Sequence, residues 1–148
     1  MWKNSLLIVL FLFSCISQSK TESHDFKNIT IQCSLKNQKD IYISFLNNGA
    51  LPVNIKRPCI FNVYIDIKKD GKPLTTKIRV KTSPECMYPV YILGKGESKE
   101  FKYNYNVDEL FDLEDKNGYK MSVAYYIYDN NKFKQKIISD GYGFIWSR

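Results

Sequence analysis

The residues that could carry acid, base or metal chemistry are few in this sequence. The one histidine, His24, stands in a polar segment, where it has no second histidine with which to form a catalytic triad or a three-ligand zinc site. The chain contains no nucleophile elbow, no P-loop and no Cys-x-x-Cys pair. These features predict that the protein is not an enzyme and that it uses no cofactor and no metal.

The acidic residues form one cluster that could hold a cation. Asp108, Glu109, Asp112, Glu114 and Asp115 lie close together in the sequence, and hard cations such as calcium prefer several carboxylate oxygens. Apolar residues interrupt the cluster, and its spacing matches no calcium loop. We interpret it as an acidic surface loop, and a carboxylate-based hydrolase at Asp112 and Glu114 is the enzymatic alternative.

The N-terminal residues have the layout of an export signal. Residues 1–14 combine the charged Lys3, the apolar run Leu6–Phe13 and the small Ser14, which predicts a signal peptide. The apolar run is too short to span a bilayer, because a transmembrane helix needs roughly 20 residues.

The end of this segment, Leu12-Phe13-Ser14-Cys15, resembles the lipobox of bacterial lipoproteins. The resemblance implies cleavage before Cys15, acylation of Cys15 and attachment to the bacterial cell envelope. Ile16 in place of aspartate after the cysteine implies the outer membrane in a cell that has two. An ordinary signal peptide cut near Ser17 to Ser19 is the alternative. Residues 15–25 are polar and predict a flexible tether to the domain.

The other three cysteines predict one disulfide. Cys59 and Cys86 each lie in a proline-containing loop, whereas Cys33 lies in the apolar series of a strand. Disulfides persist in the oxidising compartments that exported chains enter. Three pairings are possible, and we predict a Cys59–Cys86 bridge and a buried, free Cys33.

The chain is strongly basic, with a formal net charge of +7 at pH 7. Nineteen of its 22 basic residues are lysines, and they are scattered along the predicted strands. Proteins that read nucleic acids favour clusters of arginine on one face. We therefore expect no nucleic-acid partner, and we interpret the lysines as a solvated surface that discourages pairing between strand edges.

Apolar residues alternate with polar ones over most of residues 26–148, which predicts half-buried strands. Turn residues separate these runs, and the spacing predicts one all-β domain, an immunoglobulin-like antiparallel β-sandwich of eight or nine strands. Predicted strands include Leu51–Pro58 and Lys77–Lys81. Asp108–Leu113 is the only weakly helical segment, with Asp108 as its cap.

The turn motifs resemble those of two bacterial sandwich families. They are Asn47-Asn48-Gly49 followed by Leu51-Pro52-Val53, then Asp70-Gly71-Lys72-Pro73, Leu93-Gly94-Lys95-Gly96-Glu97-Ser98, and Phe111-Asp112-Leu113 followed by Gly118-Tyr119. Their order is similar to that in the sandwich that precedes the catalytic domain of deuterolysin-type metalloproteases and in the small intracellular-proteinase-inhibitor sandwiches. The HExxH helix of the proteases is absent from the sequence, so the resemblance implies a fold and no proteolysis. It also implies that Tyr119 ties its hydroxyl back to the preceding loop, as in immunoglobulin-like sandwiches.

Tyrosines on the polar side of the strands indicate a binding surface. Tyrosine combines a large apolar area with a polar tip, which suits interfaces. The candidate binding residues are Tyr42, Tyr64, Tyr91, Tyr126 and Tyr128. Two hypotheses follow: an envelope lipoprotein that binds another protein and neutralises a hydrolase or toxin, or an accessory envelope lipoprotein without a tight partner.

Overall fold

The structure, a computed structural model, describes residues 26–78, 84–129 and 132–147. The predicted signal peptide, Cys15, His24 and the predicted tether lie outside the described residues. The strands are β1 (Ile29–Lys36), β2 (Asp40–Asn47), β3 (Val53–Lys56), β4 (Val63–Lys69), β5 (Lys72–Pro73), β6 (Val90–Leu93), β7 (Ser98–Asn106), β8 (Gly118–Asp129), β9 (Lys132–Ile138) and β10 (Tyr142–Ile145). One helical turn, α1 (Val107–Leu110), and two 3-10 turns, Phe26–Asn28 and Pro84–Met87, connect them. The described part of the chain holds no helix long and apolar enough to cross a membrane.

Two antiparallel sheets form a sandwich. The first sheet has the order β1-β2-β7, and the second centres on β8, which pairs with β4 on one edge and with β9 and β10 on the other. This is the A-B-E and C-F-G arrangement of an immunoglobulin-like sandwich. The all-β sandwich predicted from the sequence is confirmed, although the described residues form ten strands rather than eight or nine.

A third, two-stranded ladder of β3 and β6 continues from β2 and β7. Asn47, which is fully buried at the end of β2, donates hydrogen bonds to the carbonyl oxygens of Leu51 (2.8 Å) and Leu93 (3.0 Å). The Tyr125 hydroxyl donates a 2.8 Å hydrogen bond to the Lys56 carbonyl oxygen. These bonds join the small ladder to both sheets.

The core lies between the sheets and follows the period of two in the sequence. All five inward residues of β8 are buried. They are Tyr119, Met121, Val123, Tyr125 and Ile127. Phe45 of β2 packs between Phe101, at a ring-centroid distance of 5.8 Å, and Tyr125, at 4.9 Å. Successive side chains of a strand point to opposite faces, so the residues of β8 that alternate with these five point away from the core.

The cysteine predictions are confirmed. Cys59 and Cys86 form a disulfide with their Cα atoms 6.0 Å apart, and Cys33 is free and buried. The bridge joins the β3–β4 connection to the 3-10 turn Pro84–Met87.

Two predicted strands differ from the structure. Strand β3 begins at Val53, and Leu51 is 72% exposed because it lies in the turn before that strand. Lys77 and Ile78 lie outside the strands, and residues 79–81 are outside the described residues; Thr76 makes only an isolated bridge with Phe111.

The cap of the short helix also differs from the prediction. Helix α1 begins after Asn106 rather than at Asp108. The backbone N–H of Asn106 donates a 2.5 Å hydrogen bond to the carboxylate of Glu109, which is the reciprocal half of a capping box. Asp108 is already the second residue of the helix, so it cannot cap it.

Candidate protein-binding face

The outward side of the second sheet is a continuous surface that the register of the strands defines. We call this surface the outer face. It consists of Tyr64, Asp66 and Lys68 of β4, Gly118, Lys120, Ser122, Ala124, Tyr126 and Tyr128 of β8, Phe133, Lys136 and Ile138 of β9, and Gly143 and Ile145 of β10.

One end of the outer face carries large apolar side chains that contact solvent. Tyr64 is 55% exposed, Phe133 57% and Ile138 59%. Tyr64 and Ile138 stand opposite Ala124 on the two neighbouring strands, so a small residue separates two large ones. Exposed apolar patches of this kind mark interaction sites in soluble proteins.

Aromatic rings support one another at this end. Phe133 lies 6.1 Å from Tyr126 and 6.3 Å from Tyr128, measured between ring centroids. Phe61 contacts Tyr128 at 5.3 Å, and the Lys136 ammonium lies 6.0 Å above the Tyr126 ring. Rings held by their neighbours lose little conformational entropy when a partner covers them, so they are efficient contact residues.

The other end of the outer face is an open groove of about 530 Å³. Gly118 and Gly143 form its floor, and Lys68, Lys120 and Ile145 line its sides. Ile145 is 74% exposed. The outer face therefore has aromatic side chains at one end and the groove at the other.

The structure brings three of the five predicted binding tyrosines together. Tyr64, Tyr126 and Tyr128 all lie on the outer face. Tyr42 lies on the outward side of the first sheet, with the Lys36 ammonium 4.2 Å from its ring centroid. Tyr91 does not lie on the polar side: it packs against the core with its ring 5.0 Å from Phe101. Strand β6 pairs in the small β3–β6 ladder, and there Tyr91 points inward together with the buried Leu93.

Sequence reasoning missed Phe133 and Ile138. A bulge between Ile127 and Tyr128 shifts the register of β9, so that Phe133 stands opposite Tyr128 and Ile138 opposite Ala124. The run Lys132 to Ile138 does not alternate regularly. The sequence pattern therefore did not indicate that Phe133 and Ile138 point outward.

The acidic residues proposed for cation binding are engaged separately. Glu114 pairs with Lys69 at 2.5 Å, and Asp112 pairs with Lys77 at 3.3 Å. Within residues 26–78, 84–129 and 132–147, no group of three or more potential ligands has the geometry to hold a metal ion.

The buried Cys33 thiol has a structural partner. The Cys33 sulfur lies 3.4 Å from the Ser139 hydroxyl oxygen, which accepts a 2.9 Å hydrogen bond from the Val123 N–H. Burial raises the pKa of the Cys33 thiol and also the pKa values of Tyr103 and Tyr125. A raised pKa makes a thiol or phenol a poorer nucleophile at neutral pH.

A scan against protein-family models finds no family that matches this chain, and a search of curated proteins finds no matching relative. The interpretation of the outer face therefore depends on its own residues.

Proposed function

We propose that this protein is a non-catalytic lipoprotein of the bacterial cell envelope whose sandwich binds another protein through the outer face. The observation that carries this proposal is the exposure of Tyr64, Phe133 and Ile138 on one side of one sheet, with Tyr64 and Ile138 flanking Ala124 and Phe133 opposite Tyr128. Burying such side chains against a partner removes apolar surface from water, which stabilises association.

The dimensions of the outer face suit a protein partner. Strand β8 has 12 residues, and at roughly 3.4 Å per residue it extends about 40 Å. Three strands side by side, roughly 4.8 Å apart, give a width of about 14 Å. The resulting area is of the same order as the roughly 800 Å² that each partner buries in a standard interface.

The proposed biological role is neutralisation of a hydrolase or toxin. It is supported by the resemblance to proteinase-inhibitor sandwiches and by the export signal predicted from the sequence. Acylation of Cys15 would hold the domain at the envelope, where such a partner acts. Mass spectrometry of the mature chain tests this attachment, since a chain that begins at Ser17 or later without acyl groups would contradict it.

The test of binding is affinity capture with residues 20–148 from envelope and secreted fractions of the source cells. The critical comparison is with the double variant Tyr64→Ser/Ile138→Glu, which alters the outer face alone. Tyr42→Ser on the first sheet is the matched control, since it also removes a partly exposed tyrosine from a strand. Circular dichroism first establishes that each variant is folded.

We expect the unmodified domain and Tyr42→Ser to retain one stoichiometric protein. The double variant should bind that purified protein at least about tenfold more weakly, because it removes an aromatic contact and places a charge in the interface. Equal binding by all three proteins would overturn the assignment of the outer face. Capture of no stoichiometric protein would favour the accessory lipoprotein. If the partner is a hydrolase, its activity should fall as the domain is added in equimolar amount.

A further inference from the structure

The groove of the outer face contains the only two glycines that lie within strands of the described residues, Gly118 and Gly143. They are diagonal neighbours, because Gly118 stands opposite Ile145 and Gly143 stands opposite Lys120. Neither has a backbone conformation that requires glycine, and a Cβ atom built on either one meets nothing within 4 Å. Neither position therefore excludes a Cβ atom.

Glycine weakens a strand, since it has high conformational entropy in the unfolded chain and no side chain to pack. Gly141, just before β10, has a structural reason, because the stem of Lys120 occupies the space that a Cβ atom would need. Gly118 and Gly143 have no such neighbour. A strand glycine without a structural reason often marks a place where a ligand or another backbone approaches closely.

A second feature of the groove is a pair of like charges. Lys68 and Lys120 stand directly opposite each other on β4 and β8. Both lysines line the groove together with Asp70. The Lys120 stem lies over Gly141 on the β10 side, and the Asp66 carboxylate lies 3.6 Å from the Lys68 ammonium. A carboxylate placed between the two ammonium groups would make the charges complementary.

The charge of the whole outer face has the same sign. Its charged residues are Lys68, Lys120 and Lys136 against Asp66, and Asp70 also lines the groove, so three lysines against two aspartates leave a net charge of +1. A partner of complementary charge is acidic, and such complementarity favours association and discriminates against wrong partners.

We propose that the groove binds an acidic segment of the protein partner. A bulky apolar side chain of that segment lies on Gly118 and Gly143 beside Ile145, and a neighbouring carboxylate lies between Lys68 and Lys120. This inference rests on the proposed function and identifies the kind of segment that the outer face recognises. The aromatic end supplies contact area, and the groove selects the anchoring side chain.

The test uses nuclear magnetic resonance of isotope-labelled residues 20–148, which contain every described strand and the whole described core. The probe is a blocked peptide with the sequence Glu-Glu-Phe-Glu-Glu. Two matched peptides separate its features: Glu-Glu-Ala-Glu-Glu lacks the apolar anchor, and Lys-Lys-Phe-Lys-Lys reverses the charge. We expect the first peptide to shift the amide signals of Gly118 and Gly143 saturably, with a dissociation constant at least about tenfold lower than that of either control peptide.

Two variants of the protein test the location. Gly143→Thr places a side chain in the groove and should weaken the Phe peptide about tenfold or more. Gln32→Thr places the same side chain at an exposed position of β1 in the first sheet, away from the outer face, and should leave binding unchanged. Lys68→Gln/Lys120→Gln should reduce the preference for the acidic peptide over the basic one.

Several results would overturn the inference. Equal shifts with all three peptides, or shifts that leave Gly118 and Gly143 unaffected, would show that the groove does not select an acidic apolar segment. Equally strong shifts with polygalacturonate would indicate a polysaccharide ligand instead. Shifts of the same signals on dilution of the protein alone would show that a second copy of the chain occupies the groove. If Gly143→Thr binds the captured partner as tightly as the unmodified domain does, the groove inference fails while the proposed function stands.

Discussion

The Tyr119 hydroxyl accepts a 2.9 Å hydrogen bond from the backbone N–H of Glu114, five residues earlier in the chain. Tyr119 is buried at the beginning of β8, whereas Glu114 lies in the preceding loop. The bond fastens that loop to the central strand of the second sheet. It is the tyrosine-corner arrangement that the sequence predicted for an immunoglobulin-like sandwich.

Removal of this hydroxyl should destabilise the domain without changing its packing. We expect Tyr119→Phe to lower the free energy of unfolding by about 1 kcal/mol, the usual net contribution of an intramolecular hydrogen bond. Urea denaturation measures the change. Tyr64→Phe, which removes a hydroxyl from an exposed ring of the outer face, is the control and should change stability by less than about 0.5 kcal/mol. Equal effects of the two substitutions would contradict a structural role for the corner.

The disulfide should contribute more than any single hydrogen bond. It closes a loop with a sequence separation of 27 residues, which corresponds to about 3–4 kcal/mol in the chain-entropy model. We expect the double variant Cys59→Ser/Cys86→Ser to lose stability of this order in urea denaturation. In residues 20–148, thiol labelling under denaturing conditions should modify only Cys33 without reductant, and all three cysteines with it. Labelling of Cys59 or Cys86 without reductant would contradict the pairing.

The buried Cys33 predicts a pH dependence of stability in alkaline solution. Burial raises the pKa of its thiol, so the folded state holds the proton more tightly than the unfolded state does. The resulting stabilisation is complete below the thiol pKa of the unfolded chain, about 8.5, and is lost as the pH rises through the folded-state pKa.

The comparison with Cys33→Ala isolates this effect, because Tyr103 and Tyr125, whose pKa values burial also raises, are present in both proteins. We expect the stability advantage of the unmodified domain over Cys33→Ala, measured by urea denaturation, to shrink between pH 7 and pH 10. A difference that stays constant over this range would show that Cys33 has the same pKa in both states.

The strand glycines predict a substitution that stabilises the fold. Gly143→Thr should raise the free energy of unfolding by about 0.5–1 kcal/mol, because a β-branched residue suits a strand and the backbone accommodates a Cβ atom. Gly71 in the β4–β5 turn is the contrasting position, since its φ of +77° favours glycine. There the same substitution should lower stability by about 1–2 kcal/mol. A loss at both positions would mean that Gly143 has a structural role.

Much of the fold could be predicted because β8 and its neighbours alternate regularly. The inward residues of β8 were read from the period of two, and the turn dipeptide Asp70-Gly71 located a hairpin correctly. Predictions failed where local patterns were short. Leu51 continues the apolar alternation of β3 in the sequence but lies outside that strand. Asp108 is a good capping residue, but Asn106 two residues earlier occupies the cap position.

The candidate site could be predicted only in part. Tyr64, Tyr126 and Tyr128 were identified from strand alternation, which gives the direction of a side chain but not the sheet to which its strand belongs. Placing Tyr42 on the opposite surface required the pairing of β2 with β1 and β7. The groove exists because Gly118 and Gly143 are diagonal neighbours in the pairing of β8 with β10. Neither segment of the sequence alone indicates how the two strands pair.

The most direct test of the outer face is hydroxyl-radical footprinting of the complex with the captured partner. Backbone amide exchange would report little, because the amides of β8 are already engaged in ladders on both edges, whereas radical oxidation reports the exposure of side chains. Ile138 on the outer face is the probe, and Ile92 on β6 is the control of the same residue type. Their side chains are 59% and 70% exposed in the free domain.

We predict that oxidation of Ile138, Tyr64 and Phe133 falls severalfold in the complex while oxidation of Ile92 does not change. Protection of Ile92 with unchanged oxidation of Ile138 would place the partner on another surface and contradict the account.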